Sequence, residues 1–175
     1  IEETGAAQYL RDVRITTIYE GTTGIQSNDL IGRKLARDRG AAMGALLHEM
    51  EGELKSLSAA TTEDAAIAKA ALDAVGALRR ATHSVLQALG NRPDTAMAVS
   101  VPYLKLCGYV VGGWLLARSA AIARRKLQGS EREFYAAKLR SATFYAAQVL
   151  PLTHGLERVV TAGALSVIET DAGLI

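Results

Sequence analysis

Apolar residues recur along most of the chain at spacings of three and four, which is the period of an α-helix with one buried face. The clearest series is Met43, Leu47, Met50, Leu54 and Leu57, at intervals of four, three, four and three. No stretch shows a convincing alternation of apolar and polar residues with a period of two, the pattern of a half-buried β-strand. The pattern therefore predicts an all-α protein.

Glycine and proline divide the helical pattern into separate elements. Gly40 and Gly44 can break or bend the first long stretch, which would give two helices, because glycine adopts backbone angles that other residues resist. Gly90 ends the next helix, and Pro93 opens another, since proline is favoured in a first turn. That helix reaches to about residue 128, and Pro102 is expected to kink or split it.

The last third of the chain continues the helical pattern. Ser130 and Glu133 have the spacing of a capping box, in which each side chain bonds the backbone amide of the other residue. Pro151 should bend or end the helix that comes next. The sum is an up-and-down helical bundle of about five long helices with additional short pieces.

Composition and charge agree with a single helical domain. The chain has 175 residues, of which 49% are hydrophobic, 22% charged and only 5% aromatic. This length is sufficient to bury a core. A formal net charge of +2 is too small to indicate binding to nucleic acid or to an anionic membrane.

Cysteine and histidine usage argues against a disulfide or a metal site. The single Cys107 can form no internal disulfide, fits a cytoplasmic, reducing compartment and lies in an apolar run typical of a buried thiol. That run is too short for a membrane span and is interpreted as a core helix. None of the three histidines lies three or four residues from another. The start at Ile1, followed by two glutamates, does not resemble a signal peptide and is interpreted as an artificial or proteolytic cut.

Candidate chemistry is concentrated in residues 15–26, a short break between helical segments. This stretch carries Glu20, two glycines and several threonines. Loops held by a rigid scaffold are where catalytic groups tend to lie. From the residue type alone, however, Glu20 is one of 18 acidic residues, and a solvated surface glutamate is the simpler interpretation.

The longer segment around Glu20 matches a known pattern. Residues 11–26 read R-D-x-R-I-x-x-I-Y-E-G-T-x-x-I-Q and resemble the segment of acyl-CoA dehydrogenases that carries the catalytic base. Residues 29–35 resemble the branch that includes the 3-methylmercaptopropionyl-CoA dehydrogenases, and residues 141–153 are similar to the C-terminal extension of that branch. The resemblance implies that residues 1–40 end the helical dehydrogenase domain and that residues 41–175 form the extension.

The resemblance also implies a role for each residue of the motif. Glu20 would be the base that removes the α-proton of an acyl-CoA thioester, in an α,β-desaturation that depends on FAD. Tyr19 would line the acyl pocket, and Gly21 would leave room for substrate. The FAD contacts would fall on Thr22, Thr23 and Gly24. Many relatives carry a larger polar residue where this chain has Gly24, so only backbone contact is expected there.

Further expectations concern the partners and the completeness of the chain. The family implies an acyl-CoA substrate, an electron-transfer flavoprotein as electron acceptor and a homo-oligomer, with no nucleic acid and no membrane span. Its upstream domains hold most FAD and CoA contacts, so this chain is predicted to be a C-terminal fragment that neither retains FAD nor turns over alone. Two alternatives remain: a non-catalytic packing or oligomerisation module, favoured by the glycine- and alanine-rich residues 108–117, and a free-standing helical protein that merely retains the motif.

Overall fold

The protein is helical throughout the part of the chain that its structure, a computed structural model, describes: residues 5–17, 21–58, 62–170 and 173. No strand occurs in these ranges, which confirms the predicted all-α class. The α-helices are α1 (Ala6–Arg14), α2 (Thr23–Asp29), α3 (Ala41–Leu57), α4 (Thr62–Asn91), α5 (Pro93–Ala98), α6 (Ser100–Lys126), α7 (Arg132–Gln148), α8 (Leu152–Ala162) and α9 (Ala164–Ile168). A 3₁₀ turn, Ile15–Thr17, follows α1, and a π-helical segment, Leu30–Leu35, follows α2.

The long helices α4 and α6 form the centre of the bundle. They pack on each other, and both also contact α3, α7 and α8. Alanines supply much of the buried face of α4, and small side chains let neighbouring helices approach closely. Large buried side chains fill the remaining core, among them Leu47, Leu54, Val75, Leu78, Tyr103 and Leu106.

The predicted break at Gly40 is confirmed. Gly40 has a φ of 79°, in the left-handed region that favours glycine. The carboxylate of Asp38 accepts hydrogen bonds from the backbone N–H groups of Gly40 at 3.0 Å and of Ala42 at 2.9 Å. These bonds lower the pKa of Asp38, and the bond from Ala42 has the largest effect. They also fix the start of α3. Gly44, by contrast, lies inside α3 and does not interrupt it.

The predicted split near Pro102 is also confirmed, although it lies three residues earlier. Val99, with φ −105° and ψ 12°, separates α5 from α6. Pro102 is then the third residue of α6. A proline is tolerated there because the N–H groups of a first turn have no partner within the helix.

The π-helical segment Leu30–Leu35 was not predicted. Its turn is wider than that of an α-helix, with hydrogen bonds from residue i to residue i+5. Ile31 and Leu35 are buried, and a Cβ on Gly32 would lie 3.1 Å from Cε of Met97. The segment therefore carries the chain from α2 into the core of the bundle.

The predicted capping box at Ser130 and Glu133 is wrong. Helix α7 begins at Arg132, one residue later than a cap at Ser130 would place it. The N-cap residue is Glu131, whose side chain makes no capping hydrogen bond. The backbone N–H of Tyr135 donates to the carbonyl of Glu131 at 3.2 Å instead, so ordinary helical bonding starts the element.

Helix α6 was expected to be a core helix, and its packing confirms this. Among the described helices it alone is long and apolar enough to cross a membrane by length and composition, a test that core helices of soluble proteins also pass. It buries Tyr103, Leu106 and Val110 against its neighbours. The described part of the chain thus gives α6 a structural role at the centre of the bundle.

Candidate functional site

The structure describes four of the six residues that the motif singles out. Gly21, Thr22, Thr23 and Gly24 lie at the start of α2, where Gly21 is half-buried and the other three are exposed. Tyr19 and Glu20 lie outside the described residues. The geometry that can be described is therefore that of residues 21–24, which follow the predicted base directly in sequence.

Thr22 caps α2. Its backbone is extended, with φ −60° and ψ 146°, and its Oγ1 accepts a hydrogen bond from the backbone N–H of Ile25 at 3.2 Å. The carbonyl of Thr22 accepts from the N–H of Gln26 at 3.0 Å. Thr23 is the exposed first residue of the helix.

The space beside Gly21 is filled by the side chain of Gln26. A Cβ on Gly21 would lie 2.1 Å from Nε2 of Gln26, so any larger residue would displace that side chain. Sequence reasoning gave no role to Gln26, although it closes the motif. Gly21 thus allows Gln26 to fold back towards the loop that precedes α2.

Gly24 differs from Gly21 in its surroundings. Apart from its chain neighbours and the backbone of its own helix, no described atom lies within 4 Å of the position that a Cβ would take on Gly24. The backbone of the first turn of α2 is therefore accessible from this side. This agrees with the expectation that only backbone contact can be made at Gly24, because glycine offers no side chain.

Two buried hydroxyls hold α2 against the bundle, and neither was predicted from the sequence. Ser27 is 0% exposed and Ser100 is 4% exposed, and their Oγ atoms are 3.0 Å apart. Oγ of Ser27 also donates to the carbonyl of Gly24 at 2.9 Å, and Oγ of Ser100 donates to Oδ1 of Asn28 at 2.8 Å. This set, the serine network of Gly24, Ser27, Asn28 and Ser100, joins α2 to the start of α6.

Large apolar side chains are exposed to solvent within the motif and just before it. Tyr9 is 75% exposed, and Leu10, Val13, Ile15 and Ile25 are each more than half exposed. Exposed apolar residues that are grouped in this way often mark a surface of contact. The helix that leads into the predicted base thus presents an apolar surface.

Open grooves lie elsewhere in the described structure. One of them has a volume of about 790 Å³ and lies between α4 and α7, with Ile67, Leu139 and Phe144 among its lining residues. A smaller groove of about 200 Å³, lined in part by Leu30, Asp38 and Met43, lies between the π-helical segment and α3. Neither includes a residue of the motif. No group of three or more His, Cys, Asp or Glu side chains among the described residues could hold a metal ion.

Comparison with known proteins identifies the family. The family model described as Acetyl-CoA dehydrogenase C-terminal like matches residues 41–171. The chain belongs to the acyl-CoA dehydrogenase family. The resemblance that the motif at residues 11–26 indicates is thereby confirmed, and the family model covers the helices α3 to α9, which lie outside that motif.

Three relatives are similar to most of this dehydrogenase segment. It is 43% identical over 154 residues to 3-methylmercaptopropionyl-CoA dehydrogenase of Ruegeria pomeroyi, an alignment that covers 86% of this chain and 26% of that protein. It is 34% identical over 180 residues to the broad-specificity linear acyl-CoA dehydrogenase FadE5 of Mycobacterium tuberculosis, covering 94% of this chain and 28% of that protein. A butyryl-CoA dehydrogenase of Syntrophomonas wolfei is 27% identical over 176 residues, and the alignment covers 97% of this chain and 28% of that protein. The chain therefore spans about a quarter of the length of the curated relatives it matches.

Proposed function

We propose that this chain acts as the C-terminal part of a longer, FAD-dependent acyl-CoA dehydrogenase that desaturates an acyl-CoA thioester between its α- and β-carbons. The observation that carries the proposal is the unbroken motif at residues 11–26, which precedes the region that the family model matches, residues 41–171. The apolar surface of α1 supports it, because a longer chain could cover Tyr9, Leu10 and Val13.

In this proposal Glu20 is the catalytic base. Its carboxylate removes the α-proton of the thioester, and its own backbone N–H stabilises the enolate oxygen that develops. FAD supplies an acceptor for the hydride that leaves the β-carbon. Tyr19 lines the pocket for the acyl chain. Gly21 adds no side chain of its own at the approach to the thioester, and the side chain of Gln26 lies beside it.

The start of α2 fits a contact with FAD in a limited way. Thr23 is exposed, and the backbone at Gly24 is open to approach. The Oγ1 of Thr22 already accepts a bond from Ile25, but a hydroxyl also carries a hydrogen that it can donate to an oxygen of the cofactor. Thr22, Thr23 and the backbone of Gly24 would therefore hold one edge of FAD.

Glu20→Gln in the full-length protein tests the proposal. The amide cannot accept the proton, so the rate of flavin reduction by acyl-CoA should fall about 100- to 10,000-fold while flavin and acyl-CoA still bind. Glu49→Gln, on the exposed face of α3, is the matched control and should leave the rate unchanged. A Glu20→Gln protein as fast as the wild type would exclude Glu20 as the base.

The substrate is best sought among the classes that the relatives' names suggest. 3-Methylmercaptopropionyl-CoA, butyryl-CoA and longer linear acyl-CoA thioesters should be compared by kcat/KM in the full-length protein. The isolated 175-residue chain, assayed in parallel, should contain no stoichiometric flavin and show no turnover. We propose an electron-transfer flavoprotein as the electron acceptor of the full-length protein. We also propose that this protein is cytoplasmic and forms a homo-oligomer.

A second candidate function is a packing or oligomerisation module, and one face of α6 favours it. Val101, Leu115 and Ile122 are exposed and recur at helical spacing. Gly112 does not belong to this face, because a Cβ there would lie 2.6 Å from Oη of Tyr145 on α7. Light scattering on the chain and on a Leu115→Glu variant tests this function: a monomer in both cases would argue against an interface on α6.

A further inference from the structure

The serine network joins two parts of the chain that are far apart in sequence. Ser27 and Ser100 are separated by 73 residues, and their hydroxyls meet at 3.0 Å in a buried position. A buried hydroxyl without a hydrogen-bond partner is strongly unfavourable, so each serine restrains the position of the other. Helix α2, which begins within the motif, is therefore tied to α6, which lies within the region of the family match.

The hydrogens available in the network show how it can be fully satisfied. Two hydroxyls carry two hydrogens, and the bonds to the carbonyl of Gly24 and to Oδ1 of Asn28 use both. The contact between Ser27 and Ser100 then needs a third donor. Turning the amide of Asn28 by 180° supplies it, because its Nδ2 then donates to Ser100, Ser100 to Ser27, and Ser27 to the carbonyl of Gly24.

We infer that Ser100 is a positioning residue: it holds Ser27 and, through the bond from Ser27 to the carbonyl of Gly24, the first turn of α2 and the loop that carries Glu20. The inference rests on the proposed function of Glu20 as the base. Gly24 follows Glu20 by four residues, and consecutive Cα atoms are only about 3.8 Å apart, so fixing Gly24 restricts the loop. Proton removal depends steeply on position, since a misplacement of about 1 Å can cost about 100-fold in rate.

A second buried hydrogen bond provides a matched control within the same helix. Oη of Tyr103 and Oγ1 of Thr82 are 2.9 Å apart and link α6 to α4. Tyr103 lies one turn after Ser100, but its partner Thr82 is on α4, so its bond does not reach α2. Loss of either bond should weaken the fold, whereas only loss of the Ser100 bond should disturb the loop.

The experiment compares Ser100→Ala with Tyr103→Phe in the full-length, FAD-loaded dehydrogenase. The single-turnover rate of flavin reduction, the KM for acyl-CoA and the flavin content are measured for both. Ser100→Ala should slow flavin reduction about 10- to 100-fold, with KM and flavin content close to those of the wild type. Tyr103→Phe should keep the wild-type rate even if its Tm falls.

A double variant tests whether the two serines act together. If Ser27 and Ser100 hold one bond, Ser27→Ala should slow the reaction as Ser100→Ala does, and the double variant should be no slower than either single variant. Ser27→Ala also serves in place of Ser100→Ala if the latter does not fold.

Three outcomes distinguish the inference from the function on which it rests. A rate for Ser100→Ala equal to that of Tyr103→Phe, or a rise in KM without a loss of rate, would overturn the positioning role alone. A wild-type protein that does not reduce flavin, or one that is unaffected by Glu20→Gln, would overturn the proposed function and the inference with it. A slow Ser100→Ala beside an inactive Glu20→Gln supports both.

Discussion

Cys107 shows how burial sets the chemistry of a single side chain. It is 9% exposed, and burial raises the pKa of its thiol to about 12. At pH 8 only about one thiol in 10,000 is then a thiolate, the form that reacts. The folded chain should therefore react very slowly with a disulfide reagent such as DTNB.

The reaction is followed by absorbance in native buffer and after unfolding in guanidinium chloride. The same chain, once unfolded, is the control, and its thiol should react completely with DTNB within minutes. Rapid and complete labelling of the folded chain would show that Cys107 is accessible and contradict its buried placement.

Single residues differ in how far the sequence predicts their burial and their roles. The burial of Cys107 is predictable because the apolar run around it is itself a burial signal. The roles of Ser27 and Ser100 are not, because serine is common on surfaces and their contact depends on a tertiary approach across 73 residues. The cap predicted at Ser130 failed because α7 begins one residue later, with Glu131 at the N-cap position and no side-chain capping bond. Glu20 and Tyr19 lie outside the described residues, so their roles stay predictions.

At the scale of elements, glycine determines how closely α6 approaches α7. A Cβ on Gly112 would lie 2.6 Å from Oη of Tyr145, and that hydroxyl donates to the carbonyl of Tyr109 at 3.2 Å. On Gly108 a Cβ would meet no described atom within 4 Å. Two glycines of one helix thus have opposite surroundings.

We expect Gly112→Ala and Gly108→Ala to change the free energy of unfolding in different ways. Both gain up to about 1 kcal/mol of helix propensity, because alanine is the better helix former. Only Gly112→Ala also crowds Tyr145, at a cost of about 1–3 kcal/mol. Chemical denaturation of both variants measures the difference, and equal stabilities would show that α7 can move away without penalty.

The breaks between elements were predictable where their cause is local. Gly40 and Pro151 act through their own backbone angles, so the sequence around them is sufficient. The sequence predicts a break at Pro102, three residues after the observed break at Val99, because a proline can also lie inside the first turn of a helix. The π-helical segment Leu30–Leu35 has no local marker of this kind.

At the scale of the whole molecule, one ion pair links helices that are distant in sequence. Nη2 of Arg80 on α4 donates to Oε2 of Glu157 on α8 at 2.9 Å. The hydrogen bond from Arg80 lowers the pKa of Glu157 below its ordinary value of 4.5. The carboxylate is 16% exposed and the guanidinium 59%, so solvent screens the pair. Its contribution to stability should be about 1 kcal/mol at most.

This pair predicts how stability depends on pH. A depressed pKa in the folded state stabilises the fold above the unfolded pKa, and the stabilisation is lost as pH falls through the folded value. Glu157→Gln should therefore be less stable than the wild type at pH 7, and the difference should vanish well below pH 4.5. Urea denaturation at several pH values measures it. Asp73→Asn, which removes an exposed pair within α4, is the control and should show a smaller change. If Glu157→Gln stayed less stable than the wild type well below pH 4.5, the difference could not come from the ionised Arg80–Glu157 pair.

The arrangement of the helices was the least predictable level. Apolar periodicity tells which face of a helix is buried, but not which neighbour covers it. The central pairing of α4 with α6, and the docking of α8 on both, depend on contacts between residues far apart in the chain. The helical class could be predicted from the sequence, whereas this arrangement required the structure.

The π-helical segment Leu30–Leu35 has a consequence for how the gene can tolerate insertions and deletions. Each residue added to or removed from a helix rotates the remainder of that helix by about 100°, since an α-helix has 3.6 residues per turn. A wide turn accommodates an additional residue without that rotation. Loss of a single codon within this segment would therefore restore the narrower turn and leave Ser27 beside Ser100, whereas loss of a codon from the regular α-helical turns would swing the two apart.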